Sequence, residues 1–199
     1  MPAHLFDDIL AKGVRSGQIP AREQASRDWY RKTASSFGRV NENQLLKGGS
    51  ERLRAYISVG SMYMYTYDAK HKKTLPYFDR FPLVFPFKKV SGGFMGINLH
   101  YLPLPYRAKL MDGLYSISNN NRYNETTKIG MTYDILNGSS KFRYFKPCVK
   151  KYLTTQLRSK FLYVYPSEWD IALFLPLERF EGAGKGKVYA DSRNIIRGG

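Results

Sequence analysis

Residues 62–103 read MYMYTYDAKHKKTLPYFDRFPLVFPFKKVSGGFMGINLHYLP, and how they pair sets the architecture of the chain. The stretch opens with Tyr63, Tyr65 and Tyr67 alternating with Met62, Met64 and Thr66. Period-two alternation sends successive side chains to opposite faces, so 62–67 is expected as a strand. Asp68 to Lys73 is a charged turn. The run from Leu75 to Phe87 carries Pro76, Pro82 and Pro86. Proline offers no ladder donor, so this run is expected as an edge strand or an extended, polyproline-like segment, not as a central strand. Residues 88–93, KKVSGG, read as a turn, and 94–101, FMGINLHY, as a second strand in which Gly96 marks a bulge or a close backbone approach. Short strands joined by tight polar turns point to a small twisted sheet or barrel.

On the N-terminal side, a short helix is expected over 5–12 and a basic amphipathic helix over 21–36, with Ala25, Trp29 and Thr33 on one face and Arg22, Arg27, Arg31 and Lys32 on the rest. Residues 37–54, with Gly38 and the Gly48-Gly49 pair, read as a linker or adaptable arm. On the C-terminal side, Tyr106, Leu110, Leu114 and Ile117 recur at helical spacing after Pro105, which predicts a helix over 105–117. A loop at 119–121, a strand over 128–135 and an Asn137-Gly138 turn follow. Val149, Tyr152, Leu153 and Leu157 predict a second amphipathic helix over 147–159. Then come a strand at 161–165, a capped helical turn at 167–170, a buried strand at 171–175, a flexible basic loop from Gly182 to Lys187 and a mobile tail over 193–199. The fold class is α+β: a small, twisted, mainly antiparallel sheet or partial barrel with two or three flanking helices. The expected division is a helical and flexible N-terminal arm, 1–54, and an α+β core domain, 55–199.

Lys and Arg number 32 against 16 Asp and Glu, a net charge of +16. Residues 1–60 hold +4, 61–110 hold +6 and 111–199 hold +6, so the excess is not a detachable basic tail. Charge of this size repels itself in a compact chain and suits a polyanionic partner. Aromatic residues make up 15% of the chain, mostly tyrosine, which suits strands and interfaces with one wet side. Cys148 is the single cysteine, which excludes an internal disulfide and reads as a small core residue. Met1 to Ile19 carries Asp7 and Asp8 and no apolar run, so no signal peptide is expected. No stretch approaches the roughly 18 apolar residues of a membrane span, and no membrane contact is expected.

The sequence carries no catalytic pattern, and an enzyme is not expected. The run Gly182-Ala183-Gly184-Lys185-Gly186-Lys187 has Gly186 where a phosphate-binding P-loop needs Ser or Thr, and Arg179 where it needs the first Gly. It fits a phosphate-touching loop better than a nucleotide-hydrolysis site. His4, His71 and His100 are widely separated, and His100 reads as a hydrogen-bonded structural histidine. There is no nucleophile elbow. Asp68 and Asp79 flank the basic turn and can pair with Lys70, Lys72 or Arg80; a metal-dependent nuclease would need three acids converging in a pocket. Neither metal nor cofactor is expected. The candidate phosphate contacts are Lys70, Lys72, Lys73, Lys88, Lys89, Lys150, Lys151, Lys185 and Lys187, placed by the pattern on turns and helix faces. Tyrosines on an open sheet face could stack on bases, although Tyr63, Tyr65, Tyr67, Phe85 and Phe87 read first as core.

The 62–103 string, with RDWYRK at 27–32 and SEWDIALFLPLERF at 167–180, resembles the DNA end protectors, minor virion proteins of T-even-type contractile-tailed bacteriophages. That resemblance implies binding to the ends of packaged DNA at head completion, shielding from host exonucleases by steric occlusion and phosphate neutralisation, and no bond made or broken. It places the protein in the virion, and in the host cytoplasm during assembly, among other phage virion proteins. No functional residue is carried over from the family. The rival class is a structural baseplate, neck or tail-completion subunit whose exposed aromatics form protein interfaces.

Overall fold

The computed structural model describes the chain except residues 1–3, 21–22, 119–121, 123, 125–126, 128–130, 132–133, 136, 139–142 and 199. In chain order the elements are α1 (Leu5–Arg15), α2 (Gln24–Ser35), α3 (Glu42–Gly48), β1 (Leu53–Arg54), β2 (Met62–Met64), β3 (Phe78–Asp79), β4 (Leu83–Val90), β5 (Gly93–Asn98), α4 (Leu104–Ser118), β6 (Val149–Leu153), β7 (Phe161–Val164), α5 (Trp169–Phe174), β8 (Phe180–Glu181) and α6 (Lys185–Gly198). Six strands form one antiparallel sheet in the order β1-β7-β2-β4-β5-β6, which stays open. β3 and β8 pair as a separate ribbon. The class is α+β, as expected.

Alternation divides the interior in two. Met62, Met64, Leu83, Phe85, Leu162 and Val164 face the main core, where α1, α2, α4 and α5 contribute Phe6, Tyr30, Leu114 and Ile171. The intervening Tyr63, Val84 and Phe161 face a second cluster with Tyr65, Tyr67, Phe94 and Tyr152. Phe94 stacks on Tyr152 with centroids 5.4 Å apart, and Tyr65 meets Phe161 edge-on at 5.1 Å. Such aromatic pairs add about 0.5–1.5 kcal/mol each beyond their burial. Tyr63, Tyr65, Tyr67, Phe85 and Phe87 are all core, so none of them forms an open stacking face.

Several local readings are corrected. β4 is a central strand despite Pro86. β2 pairs only with Leu83 and Val84, and the β5 register shifts between Pro86 and Lys88, so no ladder bond is asked of the proline nitrogen. Gly96, opposite Pro86, is the close approach expected: a Cβ there would lie 2.3 Å from Val84 Cγ1. Residues 88–93 are the tip of a hairpin with Ser91 and Gly92 at the turn, and Gly92 takes a φ of 74°. The helix expected over 147–159 is instead a 3-10 turn, strand β6 and a second 3-10 turn, because the free edge of β5 takes Val149–Leu153 as a partner. The strand expected at 171–175 is helix α5, nucleated where Glu168 accepts the Tyr165 N–H at 3.0 Å and buried on all sides.

In α2 the buried face is Ser26, Tyr30 and Ala34, not Ala25, Trp29 and Thr33. Residues 37–54, expected as a linker, carry α3, a 3-10 turn and β1, with Leu45 and Arg52 buried. The loop expected over 182–187 and the tail expected over 193–199 both run into α6 (Lys185–Gly198), which buries Val188, Ser192 and Ile196. The loop at 119–121 lies outside the described residues. So does much of the strand and turn expected over 128–138, where the described Met131, Asp134, Ile135, Asn137 and Gly138 are helical.

Candidate nucleic-acid interface

Arginine and lysine play different parts in this protein. Arg107 is fully buried and donates to the carbonyls of Leu102 (2.8 Å), Leu173 (2.7 Å) and His100 (3.1 Å), to Glu178 (2.6 Å) and to the Tyr189 hydroxyl (2.7 Å). Arg31 joins α2 to Asp170 on α5 at 2.6 Å and to Asp112 on α4 at 2.8 Å. Arg52 grips both oxygens of Glu168 at 2.6 and 2.7 Å and reaches Asp7 on α1 at 2.5 Å. Arg179 and Arg80 share Glu42 at 3.1 and 2.8 Å. The planar guanidinium fork suits such multidentate interior bonds. Burial pushes the Glu178 carboxyl up, but Arg107 and His100 outweigh it and hold the group at about 2.

The lysines stay outside this scheme. Among the described residues only Lys72, on Asp68 at 2.8 Å, and Lys187, on Asp191 at 2.8 Å, pair with a carboxylate. The acids that could screen the surface are therefore held largely by arginine, and the net positive charge shown to solvent is carried by the lysines together with exposed arginines such as Arg15, Arg39 and Arg193.

Of the expected contacts, Lys70, Lys150 and Lys151 converge on one cavity of about 440 Å³ beside the edge strand β6. Register places Lys88, Met95 and Lys151 in line across β4, β5 and β6, so Lys88 and Lys151 share a face about 10 Å apart. Lys89 aligns with Phe94 and Tyr152 on the opposite face. Lys73 is exposed on the 70–74 turn with Lys70 and Lys72. Lys187 comes near the cavity through Asp191, which acts on the phenol of the wall residue Tyr77. Lys185 is exposed at the start of α6 and is not among the residues lining the cavity. Lys150 is half-buried, with its Nζ 4.1 Å from the Tyr101 ring centroid, and burial pushes its ammonium below the ordinary lysine value.

The acids singled out for metal chemistry are committed to structure. Asp68 pairs with Lys72 and Arg158. Asp79 is buried and accepts from Asn98, His100 and the Phe81 and Arg179 amides. His100 is thus the hydrogen-bonded structural histidine expected, 2.7 Å from Asp79. Among the described residues no three His, Cys, Asp or Glu side chains are grouped to hold a metal ion. Cys148 is a buried core thiol, pushed up to about 12 by burial. Among the described residues no helix is long and apolar enough to cross a membrane.

Sequence reasoning missed the cavity walls Tyr77, Tyr101 and Tyr152 and the exposed His71 at the rim, because four separate segments supply them. It also missed the buried arginines. Arg107 follows the strand-ending Pro103 and Pro105 at the start of α4, but nothing local distinguishes it from a surface arginine.

Fold and surface together define a basic α+β protein in which a few buried arginines tie the interior together and the lysines face out. A family model described as Phage T4 terminal DNA protecting protein matches residues 6–196 of the 199. The chain belongs to that family. No curated protein and no solved structure matches it.

Proposed function

We propose that this protein binds the ends of packaged phage DNA without reading sequence and shields them from exonucleases at head completion. The observation that carries this reading is the family match over nearly the whole chain, and the unpaired lysines supply its chemistry. Lys70, Lys73, Lys88, Lys89, Lys150, Lys151 and Lys185 neutralise phosphates. Lys72 and Lys187 contribute less, since Asp68 and Asp191 already offset them. Protection is by occlusion: a protein seated on the terminus denies an exonuclease its substrate, and no bond is made or broken. The protein works in the virion, and in the host cytoplasm while the virion assembles. Neighbouring virion proteins are met through exposed apolar side chains such as Tyr56, which is 85% exposed, and Tyr144, at 55%.

The test compares linear and closed-circular duplex in gel shifts at two salt concentrations, followed by exonuclease digestion of the linear form. End binding predicts a preference for linear DNA, weakening with salt and slower digestion. Equal affinity for both forms removes the end-specific claim, and no binding at low salt removes DNA as the partner.

A further inference from the structure

Lysines on phosphates bind anywhere along a duplex, so they supply affinity but no preference for an end. Preference needs a feature that only a terminus can satisfy, and the cavity beside β6 has the chemistry for one. Its walls are aromatic, formed by Tyr67, Tyr77, Phe78, Tyr101 and Tyr152, with the exposed Leu75 at the lip. Tyr77 and Tyr101 lie 6.1 Å apart, with their rings tilted by 31°. Lys150 reaches in over Tyr101, and Lys70, His71 and Lys151 line the same opening. Two of its lining residues are tied together from behind: Asn98 donates to Asp79 at 3.1 Å and to the Tyr152 hydroxyl at 3.0 Å.

Among the described residues Lys150 pairs with no carboxylate, and its ammonium lies over the face of Tyr101 beside the neutral Cys148 thiol. An ammonium drawn out of bulk water without an anion is unfavourable, and an incoming anion relieves that cost. Aromatic walls favour a flat, unsaturated group beside that anion. A flat ring joined to a phosphate is a nucleotide, and the cavity of about 440 Å³ falls within the roughly 300–1,000 Å³ of small-molecule sites. An interior nucleotide of a duplex is stacked and paired on both sides and costs a few kcal/mol to extract. A terminal one has a single stacking neighbour and is the easier to bring in.

We propose that this cavity takes the terminal nucleotide of a DNA strand, with the base against the tyrosine walls and the phosphate on Lys150. The site rests on the reading of the chain as a DNA-end binder and supplies that reading with its selectivity. Lys70 and Lys151 meet the adjoining phosphate at the opening.

The experiment measures binding to two duplexes of one length, one with open 5′-phosphorylated ends and one closed by hairpins at both ends. Wild-type protein should prefer the open form. Lys150→Met, shown folded by circular dichroism, should lower the open-to-closed affinity ratio at least about tenfold, the weight of one charge-assisted contact. Deoxyadenosine 5′-monophosphate at millimolar concentration should erase the preference without displacing closed duplex. Photocrosslinking of wild-type protein to a terminal 5-iododeoxyuridine should map to Tyr77, Tyr101 or Tyr152. An unchanged ratio in Lys150→Met, or crosslinks elsewhere, overturns the cavity and leaves end binding standing. Mononucleotide binding tighter than the open-ended duplex assigns the cavity to free nucleotides and also overturns the proposal. Wild-type protein that binds neither duplex, or both equally, overturns the end-binding reading itself.

Discussion

Replacing Arg107 with methionine should nearly unfold the protein. Methionine keeps much of the stem volume and removes the guanidinium. Glu178, whose side chain is 5% exposed, then loses its charged partner and keeps the Tyr189 hydroxyl at 2.9 Å and its own backbone amide as donors. Breaking a buried ion pair by removing one partner costs about 3–5 kcal/mol. The carbonyls of Leu102, Leu173 and His100 are also deprived of a donor, at about 1–3 kcal/mol for each that stays buried and unmet. Taking the low end throughout gives roughly 6 kcal/mol, comparable to the whole stability of an ordinary domain at about 5–15 kcal/mol. Urea denaturation at pH 7, read by far-ultraviolet circular dichroism, measures the loss. Adding Glu178→Gln removes the stranded charge and should return part of the stability. A single variant within about 1 kcal/mol of wild type would refute the assignment of Arg107 as the node joining the 99–107 segment, α5, Glu178 and α6.

Acid should act through the same pair. The Glu178 carboxyl is held at about 2 in the folded chain against 4.5 for a free glutamate. A depressed acid stabilises the fold above its unfolded value, and that stability is lost as pH falls from 4.5 toward 2. The shift corresponds to about 3 kcal/mol, so wild type should lose that much more than Glu178→Gln between pH 5 and pH 2 in paired urea titrations. Gly93→Ala should destabilise more than Gly96→Ala in thermal melts: its Cβ would meet the Tyr152 backbone oxygen at 1.8 Å, whereas Gly96 chiefly meets a Val84 methyl, an overpacking worth about 1–3 kcal/mol. Replacing Lys88, Lys89 and Lys151 together by Gln should flatten the salt dependence of DNA binding by about 0.9 for each phosphate left without its lysine. Lys187→Gln, already offset by Asp191, should change it by much less. Cys148 should stay unlabelled by thiol reagents until urea unfolds the chain, because its thiol is buried and raised to about 12.

The parts of this fold legible in the sequence are those set by near neighbours. Tyrosine alternation at 62–67 and the glycine-rich turn read over 88–93 act over a few residues, and strand β2 (Met62–Met64) and the chain reversal at Ser91 and Gly92 follow from them. Val149–Leu153 satisfies helical and strand spacing alike, and only the unpaired edge of β5, some 55 residues away, decides between them. Proline demotes a strand only where both of its neighbours need the missing donor, and that depends on register, which Pro86 does not reveal. The candidate site divides the same way. Lys150 and Lys151 stand on an expected helix face that the structure replaces with strand β6, whereas the lysines of the 70–73 and 88–89 turns could be chosen because turns are local features. The tyrosine walls could not, since Tyr77, Tyr101 and Tyr152 meet only after the ribbon and β6 have closed around them.

Charge is the deepest case. The excess of basic over acidic residues is plain from composition, but which cations are left over is a property of pairs such as Arg52 with Glu168 and Arg31 with Asp170, 116 and 139 residues apart. Those pairs select arginine, because a rigid fork can satisfy several buried acceptors at once and a hydrated ammonium cannot. Folding therefore draws this subset of arginines and much of the acid inward, and it leaves the lysines at the surface beside the remaining arginines, such as Arg15, Arg39 and Arg193. Phosphate contacts of the kind proposed hold DNA without reading its sequence, so on that reading the discrimination of an end from a middle must come from shape, and the tyrosine-walled cavity beside β6 is the feature proposed to supply it.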